Sequence, residues 1–195
     1  PIQPMDTVYE QMIINKALKE RTIVLNDYID TQRIYKMTYY MDKIYKMDDM
    51  LGTPKNERII NIELSSGGGS CPAGLYLIGK IRQLQKVGYK IIGTVNEEAC
   101  SMAFMALIVC DIRRAYKYSQ VMFHAPSSSS WGYEGLQDIE ERRNRLNETW
   151  EVLKEIAKEH TLMTDEFMDQ IKISKTDRWF TADEALKYGI IDGII

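Results

Sequence analysis

The sequence predicts an α/β domain built on a mainly parallel sheet, and three observations carry that expectation. Short apolar runs alternate with longer amphipathic stretches along the chain, the pattern of strands joined by crossover helices. With 195 residues and 45% apolar content there is material for one sizeable core, and no internal repeat or low-complexity linker divides it. One domain over residues 1–195 is therefore expected. Finally, a glycine-rich turn, a serine and a histidine each fall just past the carboxyl end of a strand run. Open α/β sheets gather function along that edge.

In chain order, a helix is expected over residues 6–20, followed by the strand Thr22-Ile23-Val24-Leu25. A second helix over 31–47 places Ile34, Met37, Met41 and Ile44 on one stripe. The loop at Gly52-Thr53-Pro54 leads into a strand over 58–64, a turn rich in serine and glycine, and a helix over 73–87. Residues 90–95 form a third, buried strand. Asn96-Glu97-Glu98 reads as a short polar turn, and the apolar run from Ser101 as a helix. A fourth strand over 120–124 ends on His124. From 135 to 160 runs one long charged helix with a stripe of Leu136, Ile139, Leu146, Trp150, Leu153 and Ile156, broken by Arg142 and Arg143. Such a stripe either lies on the domain surface or projects and is buried against another subunit.

Composition sets several function classes aside. A net charge of −3 and a pI near 5.5 supply no basic footprint for nucleic acid. No apolar run reaches membrane-spanning length, and the start, Pro1-Ile2-Gln3-Pro4, lacks a secretory pattern. Cys71, Cys100 and Cys110 are odd in number and lack metal-ligand spacing, so a reducing cytoplasm is expected. With two histidines in the chain and no calcium-loop spacing, neither a metal nor another cofactor is expected. His160 ends the long helix, where an imidazole is favoured by the negative end of the helix dipole.

The remaining chemistry converges on three segments. The turn Ser65-Ser66-Gly67-Gly68-Gly69-Ser70-Cys71-Pro72 opens a helix and could cradle phosphate, but the P-loop ending is absent and Pro72 stands where G-x-G-x-x-G needs its third glycine. Its glycines would instead let backbone N–H groups approach a reacting carbonyl. Ser101 opens a helix, where a serine is ordinarily an N-cap, yet a hydroxyl there also sits beside unpaired N–H groups. His124 is the imidazole that could take its proton, or else a satisfied edge histidine. Among 28 acidic residues spacing alone does not choose the third group. Asp177 is one candidate, and its bland alternative is a solvated turn aspartate paired with Arg178. Cys100 could be the nucleophile instead, although a packed thiol is the commoner role.

Ala99-Cys100-Ser101-Met102, Val121-Met122-Phe123-His124-Ala125-Pro126 and Asp177-Arg178-Trp179-Phe180-Thr181-Ala182-Asp183-Glu184-Ala185 together resemble the ClpP family. These are the proteolytic ring subunits of the Clp protease, serine peptidases on the crotonase-like fold. The resemblance spans nearly the whole chain and implies a head of repeated β-β-α units with a protruding handle helix over about 135–160. It implies Ser101 as nucleophile, His124 as base, Asp177 as orienting acid, and the backbone N–H groups of Gly69 and Met102 as oxyanion donors. It further implies two stacked seven-membered rings, homomeric or mixed with a paralogue, around a chamber in which unfolded polypeptide is cut without ATP at the peptidase itself.

The departures from the family pattern are specific. Glu97 and Glu98 replace a glycine and a glutamine before the serine, and they either act on His124 or sit in solvent. An AAA+ unfoldase would dock where this chain has Asn61, Glu63, Thr94, Asn96, Arg114 and Tyr116, mostly polar. Covering such groups with an apolar loop costs roughly 1–3 kcal/mol for each one left unpaired. Thr176 replaces an arginine of a ring-to-ring link, and the axial gating loop before the first helix is expected to be reduced or missing. An active serine endopeptidase with a diverged docking face is the expectation. A non-catalytic or weakly active ring subunit, or an acyl-CoA-handling enzyme of the same fold, are the alternatives.

Overall fold

The structure, a computed structural model, describes residues 4–128 and 132–195. The segment ahead of the first helix, at which a reduced gating loop is expected, lies outside the described residues. Helix α1 (Pro4–Lys19) leads to strand β1 (Thr22–Leu25) and helix α2 (Thr31–Leu51). The stripe Ile34, Met37, Met41 and Ile44 is buried, as the spacing predicts. Asp30 caps α2 by accepting from the Arg33 N–H. The helix runs past the expected end at residue 47 because Gly52 supplies the terminator. In the left-handed conformation (φ 63°), its N–H closes on the carbonyls of Asp48 and Asp49.

Strand β2 (Ile59–Ser66), helix α3 (Cys71–Lys86) and strand β3 (Lys90–Cys100) follow. The polar turn expected at residues 96–98 is absent: β3 runs straight through it for 11 residues. Its two halves hold different partners. Residues Ile92 to Val95 pair in parallel with β4 (Ile112–Ala115), whereas Glu98, Ala99 and Cys100 pair in parallel with Gln120, Val121 and Met122 of β5 (Gln120–Phe123). Both halves also pair with β2, across a bulge between Leu64 and Ser66. Glu97 stands in solvent in mid-strand, whereas Ala99 and Cys100 beyond it are buried.

The sheet has seven strands among the described residues, in the order β1-β2-β3-β4-β7, with β5 branching from β3. Three short strands escaped the sequence pattern: β4, in which two of four residues are arginine, β6 (Arg178–Thr181) and β7 (Gly193–Ile194). So did helix α6 (Asp165–Ser174), whereas helix α7 (Ala182–Lys187) begins at the capping box of Thr181 and Glu184. Strand β6 runs antiparallel to β5, the exception in an otherwise parallel sheet.

Helix α4 (Met102–Ile108) is buried at all seven positions and forms the centre of the core. Phe104, Phe123 and Trp150 stack at 5.2 and 5.6 Å, tying α4 and β5 to helix α5 (Leu136–His160). The α5 stripe is divided between core and surface. Trp150, Leu153 and Ile156 pack into the core, while Leu136 and Ile139 stand in solvent on this chain. His160, at the negative end of the helix dipole as expected, is biased towards the neutral form by burial and by Arg82, whose guanidinium lies 3.5 Å from Nε2. A buried ion pair closes the other side of the molecule. Burial alone would raise the Asp48 carboxyl, but hydrogen bonds from Arg21, Tyr89 and Thr53 hold it down to about 2.

Candidate active site

Ser101 stands between β3 and α4 with φ 53° and ψ −118°, a left-handed backbone that a residue with a Cβ adopts at a cost. It is held there from both sides: its N–H donates to the Met122 carbonyl at 2.9 Å, and its own carbonyl accepts from Met105 to start the helix. Its hydroxyl makes no capping bond. Instead Oγ lies 2.8 Å from His124 Nε2. The ordinary N-cap role is therefore not the one this serine fills.

Sheet register explains how three residues so far apart in sequence meet. Cys100 pairs with Met122 on β5, so the residue after β3 arrives beside the end of β5, where His124 emerges. Phe123 pairs with Arg178 across the antiparallel β5–β6 ladder, so the residue after Phe123 faces the residue before Arg178. That residue is Asp177, and its Oδ1 lies 3.5 Å from His124 Nδ1. The alternative partner of Asp177 is occupied elsewhere: Arg178 binds Glu184 at 2.9 Å.

A family model described as Clp protease matches residues 6–195. The chain belongs to the Clp protease family. Membership places it among Clp-type peptidases, with their α/β crotonase-like fold. The "ATP-dependent Clp protease proteolytic subunit 2" of Rhodococcus jostii (strain RHA1) is 27% identical over 191 residues, covering 97% of this chain and 89% of the relative. Subunit 3 of Streptomyces coelicolor is 26% identical over 192 residues, 97% of this chain and 82% of that one. Subunit 1 of Streptomyces avermitilis is 30% identical over 149 residues, covering 75% and 65% respectively.

The glycine turn of this family member is clamped between the serine and the loop after β1. Gly68 takes φ 93°, and a Cβ there would lie 2.6 Å from both the Cys100 carbonyl oxygen and the Ser101 Cβ. Gly69 (φ 150°) pairs with Ile29 in an isolated parallel bridge made by Ile29 N–H to Gly68 O at 2.7 Å and Ser70 N–H to Ile29 O at 2.8 Å. The Gly69 N–H takes no part in that bridge, and the Met102 N–H, first in its helix, has no intrahelical acceptor. Buried Ser66 fixes the turn by donating to the Asp27 carbonyl at 2.6 Å and accepting from the Gly68 N–H at 3.1 Å. Asp27, Ile29 and Ser66 carry no sequence signal for this work, since the contacts span about forty residues and at least one partner in each is a backbone atom.

The neighbours of Ser101 have separate roles. Cys100 is buried, and burial together with Glu98 pushes its thiol up to about 12, so it is no thiolate nucleophile. Glu97 is turned away to accept from Ser65 Oγ at 2.7 Å. Among the described residues no group of three His, Cys, Asp or Glu side chains is placed to hold a metal ion. The polar residues of the expected docking face fall in register: Glu63 pairs with Thr94 and Thr94 with Arg114 across β2, β3 and β4. Glu63 is taken by Lys16 of α1 at 2.5 Å. No helix among the described residues is long and apolar enough to cross a membrane.

Proposed function

We propose that the chain is a single-domain serine endopeptidase core of Clp type, cutting peptide bonds of unfolded polypeptides by a Ser–His–Asp mechanism. The observation that carries this is the 2.8 Å contact of Ser101 Oγ with His124 Nε2, with Asp177 at the opposite ring nitrogen. His124 takes the Ser101 proton as Oγ attacks the scissile carbonyl, then gives it to the leaving amine. Asp177 accepts from Nδ1 and stabilises the imidazolium. The carbonyl oxygen, now an anion, is received by the N–H groups of Gly69 and Met102, each such donor being worth roughly 2.7–4 kcal/mol in the transition state. No nucleotide enters these steps.

In this proposal α5 is the handle between two stacked heptameric rings, which would cover the exposed Leu136 and Ile139. The numbered subunits among the relatives support a ring mixed with a paralogue as readily as a homomeric one. An AAA+ unfoldase would meet the polar row of Glu63, Thr94 and Arg114, so any such partner must offer hydrogen-bonding groups rather than an apolar loop. The three free cysteines fit a reducing compartment such as the cytoplasm.

A fluorophosphonate probe applied to the assembled particle, with its native mass recorded, is expected to label Ser101 and no other residue. An assembled particle without label would refute the peptidase proposal. Gly68→Ala tests the turn. Its Cβ would push the Cys100–Ser101 segment aside, and misplacement of that size is expected to lower kcat on a fluorogenic peptide by about 100-fold. Unaltered kinetics would show that the turn does not set the serine's position.

A further inference from the structure

Beside His124 lies a groove of about 740 Å³ lined by His124, Asp177 and the flank of the handle. Its volume falls within the range of sites that hold small ligands or a few peptide residues. Arg143 of α5, Lys172 of α6 and Lys175 at the end of α6 line it too. Asp177, its one carboxylate, is engaged with His124. Four cations outside its wall are closely paired, Lys154 with Asp169 at 2.7 Å, Lys158 with Asp165 at 2.5 Å, Arg142 with Glu134 at 2.7 Å and Arg178 with Glu184 at 2.9 Å, although Arg145 of α5 makes no ion pair among the described residues. The cations in the wall are not closely paired. Arg143 and Lys172 have carboxylates only at 3.7 and 3.9 Å, and Lys175 makes no ion pair among the described residues. Lys172 is held towards the wall by the Trp150 ring, 5.8 Å beneath its ammonium. A chain of net charge −3 thus concentrates under-paired positive charge in one place beside the triad.

Resting on the peptidase proposal above, we infer that this groove receives the leaving-group side of the substrate and selects a carboxylate there. His124 must protonate the departing amine, so the segment released as amine lies on the histidine side of the serine, where the groove opens. The carboxylate can be an Asp or Glu side chain just after the cut bond, or the C-terminus of a peptide cut near its end. Each exposed ion pair contributes a few-fold at most, so two or three together give about a tenfold preference.

The test uses the purified assembled particle and internally quenched peptides that differ only in the two residues after the cut bond. These are acidic, neutral or basic with amidated ends, or neutral with a free carboxyl end placed there. The acidic set is expected to show kcat/KM about tenfold above the neutral set at low salt, with the gap closing as salt is raised. A gain confined to the free-end peptide would identify the C-terminus as the carboxylate selected. The double variant Lys172→Glu, Lys175→Glu is expected to invert the ratio of acidic to basic substrates. Should that variant fail to assemble, Lys175→Gln is expected to reduce the ratio. Equal rates for all sets, in a particle that takes the fluorophosphonate label and cleaves peptide, would overturn this inference alone. A particle that neither labels nor cleaves would overturn the peptidase proposal on which it rests.

Discussion

Ser101→Ala is expected to lower kcat for peptide hydrolysis by roughly 10⁴–10⁶-fold, because triad members act as a unit and loss of the nucleophile removes their joint effect. The fold has little reason to respond. The substitution removes one oxygen, whose partner is the His124 ring, and leaves the Met122 and Met105 backbone bonds that hold position 101. Alanine has no easier access to φ 53° than serine, so the strain is unchanged. The assembled mass and melting temperature of the variant should therefore match the parent, while steady-state hydrolysis and fluorophosphonate labelling disappear together. Residual hydrolysis within tenfold of the parent would mean that another group carries the reaction.

Asp177→Asn should lower kcat by about 10³–10⁴-fold, the effect of a triad acid replaced by a neutral near-isostere. In the proposed mechanism the carboxylate acts through Nδ1: it selects the tautomer whose Nε2 can accept the serine proton, and it balances the charge that His124 acquires. At 3.5 Å, with the Asp177 side chain 55% exposed, the contact of the free enzyme is loose and must tighten as substrate excludes water. The lower end of the range is accordingly the sounder expectation. Stability should be untouched, since Arg178 keeps its bond to Glu184 whichever residue precedes it. A pH–rate profile distinguishes orientation from scaffolding: an orienting acid changes the profile along with kcat, whereas a structural one would leave its shape alone. Full activity in Asp177→Asn would remove Asp177 from the mechanism.

The parallel α/β core was legible because its signal is local. The α2 stripe, the strand Thr22–Leu25 and the apolar run after Ser101 each carry their own periodicity, and each is found as expected. The short strands were not legible. Strand β4 is half arginine, β6 sets two aromatic residues between Arg178 and Thr181, and β7 has two residues, too few for a period to show. Asn96-Glu97-Glu98 reads as a turn from composition alone, since nothing local reveals that Val95 before it and Ala99 after it both pair with β2, or that Glu98 pairs with β5. The meeting of serine, histidine and aspartate follows from family likeness and from ladder register, not from any spacing between them. The Ile29–Gly69 bridge is a backbone event invisible to a pattern of side chains, and the Ser66 hydroxyl anchors to a backbone carbonyl 39 residues away that no local pattern marks. The cationic groove was missed because its charges come from α5 and α6, and α6 itself was not foreseen.

Because β5 and β6 run in opposite directions, each rung of their ladder joins residues whose positions are locked to one another and not to the chain between them. Within the stretch from Ala125 to Thr176, the exposed first turns of α5 can gain or lose residues without moving the acid off the imidazole, whereas the half of the helix buried around Trp150 cannot. A single residue inserted inside β6 itself would turn alternate side chains to the opposite face and carry the carboxylate out of reach. Length change is thus accommodated at the exposed end of the handle, while the four rungs beside the imidazole tolerate none.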